Sequence, residues 1–315
     1  MKKGVISLGE ALIDFIPMDH TNTNYIKSPG GAPANVAVGI ARLGASSTFL
    51  GKVGDDVLGH FLRDTLKGYG VWTDQMFFTK EVRTGLVFVT LAENGERSFD
   101  FYINPSADRF LAEEDLDEQL FKTNKILHFG SISLISEPAK SATKKAVQLA
   151  KENGMIVSYD PNLRLGLWEN SEEARETIIS MLGEADVLKI SEEELEFITG
   201  EKDIDQGVAK LKSYNISLIL ITLGSEGSYV FLNGEKAHVE AMKVEAVDTT
   251  GAGDAFVSGI LYKLEKRREG IANLSIEEAK EIARFASVSG GLAASTKGAM
   301  TALPTISQVE QILRG

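Results

Sequence analysis

Leu218-Ile219-Leu220-Ile221 is a strand without a polar face. Side chains alternate across a strand, so apolar residues at both parities mean that both faces are covered. A sheet covered on both faces is typically parallel, with helical crossovers between its strands. Outward from this stretch the chain alternates in kind. Strands are read at 5–8, 48–53, 125–129, 155–159 and 187–190. Helices are read at 33–43, 56–69, 138–152, 171–182, 192–199 and 204–214, with Gly44, Gly70 and Gly154 as stops. Residues 237–247 read as a further strand, followed by an apolar helix over 255–264. The alternation predicts a doubly wound α/β fold.

One region departs from the alternation. Segments 85–92 and 97–102 are strand-like and joined by Glu93-Asn94-Gly95-Glu96, a strong hairpin signal. Short strands are also expected at 15–17 and 24–27. These four pieces make either a small separate sheet, a candidate lid over a site, or a plain edge hairpin.

Composition narrows the function. The chain has 315 residues, 43% hydrophobic and 25% charged, as a soluble globular protein does. With 33 basic against 45 acidic residues the net charge is −12, without the basic footprint of a nucleic-acid binder. There is no cysteine, which removes disulfides, thiolate metal sites and cysteine nucleophiles. The four histidines lack metal-ligand spacing, and no run of 18 apolar residues suggests a membrane span. A cytoplasmic protein is expected.

The chemistry concentrates in Asp248-Thr249-Thr250-Gly251-Ala252-Gly253-Asp254-Ala255-Phe256. Glycines there let the backbone approach a ligand, and the helix that follows points its free N–H groups at an anion. Asp254 beside a phosphate would repel it unless needed as a base; a phosphate cradle plus a base is minimal equipment for phosphoryl transfer to a hydroxyl. The alternative is a glycine-rich turn whose Asp merely complements the helix dipole.

Other turns carry similar pairs of readings. In Gly30-Gly31-Ala32-Pro33-Ala34-Asn35, Pro33 suits a first helical turn, and the Asn35 amide suits a polyhydroxy ligand or an ordinary loop–helix junction. Asp14 follows the first strand among apolar neighbours, where sugar hydroxyls or a turn would satisfy it. Asp160-Pro161-Asn162-Leu163-Arg164 follows a strand, so Arg164 either meets phosphate oxygens or belongs to a Pro-Asn turn. Ser191 and Glu194 form a capping box, from which Glu194 could still reach magnesium through water. The turn Thr222-Leu223-Gly224-Ser225-Glu226-Gly227 is a nucleotide wall or a hairpin. No G-x-x-x-x-G-K-[ST] is present, and no G-x-G-x-x-G opens the first helix. The convergence of polar turns at strand ends favours one active site.

Segments 30–37 and 248–256 resemble the two signatures of the PfkB (ribokinase-like) family of sugar and nucleoside kinases. Segments 101–108, 128–134 and 160–164, with Leu167-Trp168, look like the bacterial and plant fructokinases in particular. The resemblance implies one three-layer α/β/α domain over residues 1–315, mostly parallel in its central sheet. It also implies a β lid from roughly 12–28 and 84–104, and transfer of the γ-phosphoryl of ATP to a primary sugar hydroxyl, fructose to fructose 6-phosphate. Asp254 would be the base and Gly251, Ala252 and Gly253 the anion hole. Asp14, Gly31, Asn35 and Arg97 would hold the sugar. Lys189, Glu194 and Arg164 would lie toward the phosphates and Mg2+, and Thr222 and Gly224 beside the nucleotide. Asp248 and Thr250 would bind a monovalent cation, usually K+, and the lid would pair two subunits into a homodimer. Two departures stand out: Ser191 replaces a frequent Asn, and Ala32-Pro33 stands where ribokinases often carry Lys, which counts against ribose. A same-fold kinase for 2-keto-3-deoxygluconate or a riboside is the alternative, and a catalytically silent sugar- or nucleotide-binding regulator a third.

Overall fold

The computed structural model describes residues 2–92 and 97–314. Its strands are β1 Val5–Leu8, β2 Leu12–Pro17, β3 Tyr25–Gly30, β4 Ser47–Gly54, β5 Met76–Thr79, β6 Leu86–Leu91 and β7 Arg97–Tyr102. They continue with β8 Ile126–Phe129, β9 Ile156–Tyr159, β10 Val187–Ser191, β11 Leu218–Thr222, β12 Ser228–Leu232 and β13 Glu235–Val239. The helices are α1 Ala32–Arg42, α2 Val57–Gly68, α3 Glu118–Thr123, α4 Ala139–Glu152 and α5 Ser171–Leu182. After them come α6 Glu192–Thr199, α7 Ile204–Leu211, α8 Ala252–Lys266, α9 Ile276–Ala294 and α10 Ile306–Arg314.

Nine strands form the main sheet in the order β13-β12-β11-β10-β9-β8-β1-β4-β5. From β5 to β11 every pairing is parallel; β12 and β13 close that edge antiparallel. The two-faced strand behaves as its composition demands. Leu218 and Leu220 pack with α8 and α9, whereas Ile219 and Ile221 pack with residues of α4 to α7 on the other face. Burying both parities is what makes β11 an interior strand. The chain runs from β1 outward through β4, then returns to β8 on the other side. The strand order therefore reverses between β1 and β8, and a crevice opens at the carboxyl ends of these strands.

The four pieces outside the alternation are β3-β2-β6-β7, a separate four-stranded sheet. One face lies toward α2, where the Lys27 ammonium sits 3.6 Å above the Phe61 ring and Phe15 stacks on Phe88. Asp14 is on the other face by register. The Asn94-Gly95 turn expected between β6 and β7 lies outside the described residues.

Local sequence sets the helix starts. Asp56 caps α2 by accepting from Leu58 and Gly59, Asn170 caps α5, and Ser191 with Glu194 caps α6 reciprocally. One expectation fails. Residues 237–247 are not a single strand: β13 ends at Val239, and the chain runs without regular structure to α8. Ala241, Met242, Val244 and Ala246 are apolar because they wall a cavity, not because they pair in the sheet. No described helix is long and apolar enough to cross a membrane.

Candidate active site

Gly251 takes φ +78° and starts α8, a left-handed turn that glycine adopts at no steric cost. That places Gly253 and Asp254 in the first turn, where N–H groups lack partners inside the helix. The Ala252 N–H instead donates to the Thr249 carbonyl at 3.1 Å. Asp254 is 9% exposed, and Asn35 Nδ2, from the first turn of α1, donates to its Oδ2 at 2.8 Å. Two helix starts far apart in sequence thus meet through one hydrogen bond. The Asn35 carbonyl oxygen is buried with no partner among the described residues, so it can accept from a hydroxyl.

Burial drives the Asp254 carboxyl up to about 6; the Asn35 bond and Lys189 oppose the rise, and Asp160 adds to it. Asp14 is also lifted to about 6, first by burial and then by the charge of Asp254. Both carboxyls thus titrate just below neutrality and are ionised at pH 7, where either can accept a proton. Gly30 faces the Asp14 carboxylate, and Gly31, next along the chain, has φ +101°; a Cβ on Gly31 would lie 2.5 Å from the Glu10 carbonyl oxygen. Only glycine fits that turn without strain.

The cation of the site is Lys189, from β10. Its Nζ lies 3.1 Å from Asp160 Oδ2, and a Cβ on Gly253 would lie 3.7 Å from it. Burial works against its charge, but Asp160 and Glu194 more than offset that and raise its pKa. Arg164 is exposed, yet near enough to lower the pKa of Asp254. Glu194 accepts from Ser191 N and from Leu163 N at 2.8 and 2.7 Å, so it ties the loop after β9 to α6. Burial raises its pKa, with Lys189 opposing. Asp248 accepts from Thr250 N and Gly298 N, both at 3.1 Å, and holds the turn before α8 to the segment after α9.

On the far side of Gly253 lies a cavity of about 490 Å³. Thr222 and Gly224 line it, with Met242, Val244, Phe256 and the α9 glycines Gly290 and Gly291. The turn after β11 is a hairpin connection and a cavity wall at once, so its two readings are not exclusive. Arg97 begins β7; its side chain lies outside the described residues.

Some site residues escaped the sequence analysis. Glu10 is buried beside the Gly31 turn, and an acid directly after a strand was the available signal. Asp160 stood in a segment already singled out, but its pairing with Lys189 needed two strands side by side. The α9 wall had no signal beyond small residues.

The pfkB family carbohydrate kinase model matches residues 2–306, and the chain belongs to that family. It is 44% identical to the probable fructokinase-4 of Arabidopsis thaliana, over 100% of this chain and 98% of that one. A double mutant of the Vibrio cholerae O395 fructokinase, solved with fructose, ADP and potassium ion bound, superposes with a TM-score of 0.90. It is 40% identical, over 99% of this chain and 98% of that one. The Xylella fastidiosa fructokinase with bound ATP gives a TM-score of 0.94 at 34% identity, over 100% and 99% of the two chains.

Proposed function

We propose that the protein is an ATP-dependent fructokinase that makes fructose 6-phosphate. The observation that carries this reading is Asp254, held by Asn35 at the helix start between the Asp14 face of the small sheet and the 490 Å³ cavity. In the proposed reaction Asp254 takes the proton of the sugar hydroxyl as its oxygen attacks the γ-phosphorus. The bond from that phosphorus to the β–γ bridging oxygen breaks, and ADP leaves. Asp14, Gly31 and Asn35 orient the sugar, with Arg97 joining them from the hairpin. The N–H groups of Gly251 and Gly253 face the transferring phosphoryl, and Ala252 joins them by giving up its bond to Thr249. Lys189 and Arg164 offset the phosphate charge, and Thr222 and Gly224 flank the nucleotide.

Two ions fit the donors present. No three His, Cys, Asp or Glu side chains among the described residues converge on a metal, so Mg2+ would come chiefly on the phosphates, with Glu194 contacting it through water. The Asp248 carboxylate and Thr250 hydroxyl are hard oxygen donors suited to K+. A bound cation there supplies positive field beside the helix start.

The same reading makes residues 1–315 one kinase domain, with a lid from roughly 12–28 and 84–104. The Asp14 face of that lid carries Ile26 and Phe99, 47% and 53% exposed, which a second copy of the chain would cover. The cytoplasm is the proposed compartment, on the absence of cysteine. A coupled ADP-release assay with fructose, glucose, ribose, 2-keto-3-deoxygluconate and aminoimidazole riboside tests the reading. Fructose should give the highest kcat/KM. Preference for a riboside would move the assignment within the family, and no turnover with any sugar would remove it.

A further inference from the structure

Glu10 stands where the main sheet passes the chain to the small one, between the end of β1 at Leu8 and the start of β2 at Leu12. It is 3% exposed. Its Oε1 accepts from the Ala32 N–H at 3.1 Å, and its own carbonyl oxygen presses on the space beside Gly31. Glu10 therefore holds the turn by its side chain, while its backbone passes so close that position 31 must be glycine. Asn35, which donates to Asp254, stands one helical turn beyond that grip. Glu10 also lines a cavity of about 10 Å³, water-sized, shared with Pro33, His128, Asp160 and Asp254.

We infer that Glu10 is a positioning residue for the phosphoryl transfer: it clamps the Gly31–Ala32 turn and so keeps Asn35 on Asp254. The inference rests on the sugar-kinase reading above. The acids acting on Glu10 are Asp108, from the segment after β7, and Asp254 on α8; Asp160 and His128 face it across the cavity. Burial, with Asp108 and Asp254 adding to it and hydrogen bonds from its own N–H and the Ala32 N–H opposing, pushes its carboxyl up to about 8, so the protonated form prevails at pH 7. His128 is neutral, its pKa lowered to about 3 by burial and by Lys189. Ionising Glu10 would add negative charge beside Asp254 and against the incoming phosphoryl. Activity should fall as pH rises through about 8.

The test compares wild type, Glu10→Ala and Glu10→Gln as full chains, with fructose and ATP kinetics from pH 6 to 9.5 and melting temperature. Glu10→Ala leaves the Ala32 N–H without its partner. Loss of positioning predicts kcat lower by roughly 10–100-fold and a higher fructose KM, with the ATP KM nearly unchanged. Glu10→Gln keeps an acceptor oxygen without a titratable proton, so it should rescue most of that loss and lack the alkaline fall. Equal effects on both substrates, a wild-type-like Glu10→Ala, or an alkaline fall that persists in Glu10→Gln would overturn the inference. If Glu10→Ala does not fold, the Glu10→Gln pH profile decides alone. A wild type inactive on every sugar defeats the function and this inference together; an active one with contrary variants defeats this inference only.

Discussion

A carboxylate buried at a helix start is costly unless something uses it, and Asp254 shows that tension in one residue. Asparagine is nearly isosteric but cannot take a proton. Asp254→Asn should fold, retain ATP and fructose binding, and lose roughly 10²–10⁴-fold in kcat. A helix-dipole role alone predicts instead near wild-type turnover and a stability loss of about 0.3–1 kcal/mol. The pH dependence has a definite sign. The carboxyl is raised to about 6 in the folded chain, so the ionised form of the proposed base is lost as pH falls through 6, and wild-type kcat should drop with it. Between the unfolded value, about 3.9, and 6 the folded state holds the extra proton. Stability from this group therefore rises as pH falls through that window. Melting curves of wild type and Asp254→Asn from pH 4 to 7 should diverge accordingly, because the variant lacks this titration.

Among the elements, the proposed function assigns the sugar to the small sheet and the nucleotide to the wall formed by α9. β6 and β7 belong to the small sheet, so Arg97→Ala should raise the fructose KM and leave the ATP KM nearly unchanged in steady-state kinetics. Equal rises would return the residue to a structural role. Helix α9 makes the complementary prediction. A Cβ on Gly291 would lie 2.9 Å from the Met242 Cβ, in the wall of the large cavity. Gly291→Val should shrink that cavity and raise the ATP KM by about 10-fold, equivalent to about 1.4 kcal/mol of binding, with the fructose KM nearly unchanged. The opposite split would place the nucleotide elsewhere.

Two properties belong to the whole molecule. The turn before α8 is anchored by Asp248 to Gly298, so a cation bound there orders parts of the chain far apart in sequence. Rates in K+ should exceed those in a bulky organic cation at equal ionic strength; equal rates would end the K+ proposal. Subunit pairing would use the Asp14 face of the lid, where Ile26 and Phe99 are exposed. Light scattering should give a dimer for wild type and a monomer for Ile26→Asp combined with Phe99→Asp, since a dimer would bury both charges unpaired. An unchanged dimer would move the interface elsewhere.

The doubly wound fold was legible in the chain itself, because burial on both faces is written into strands such as Leu218-Ile219-Leu220-Ile221 and because caps are local. Ser171–Leu182 and Glu192–Thr199 are helices with the bounds expected, each started by its own cap. The glycine turn before Asp254 was legible for the same reason: a left-handed residue entering a helix is a short-range requirement. Residues 237–247 misled because an apolar run looks alike whether it pairs in a sheet or walls a cavity, and only the packed chain distinguishes them. Partnership was likewise beyond the sequence. The Asn35–Asp254 bond joins residues 219 apart, the Lys189–Asp160 pair joins the ends of two neighbouring strands, and Glu10 meets Ala32 at the root of the small sheet. Such contacts depend on distances in space, and their energies on how much water the fold excludes. The same exclusion of water lifts Glu10 to about 8 and Asp254 to about 6. Residue types set what chemistry was available here; tertiary burial decided which carboxyls hold their protons, and against which partners.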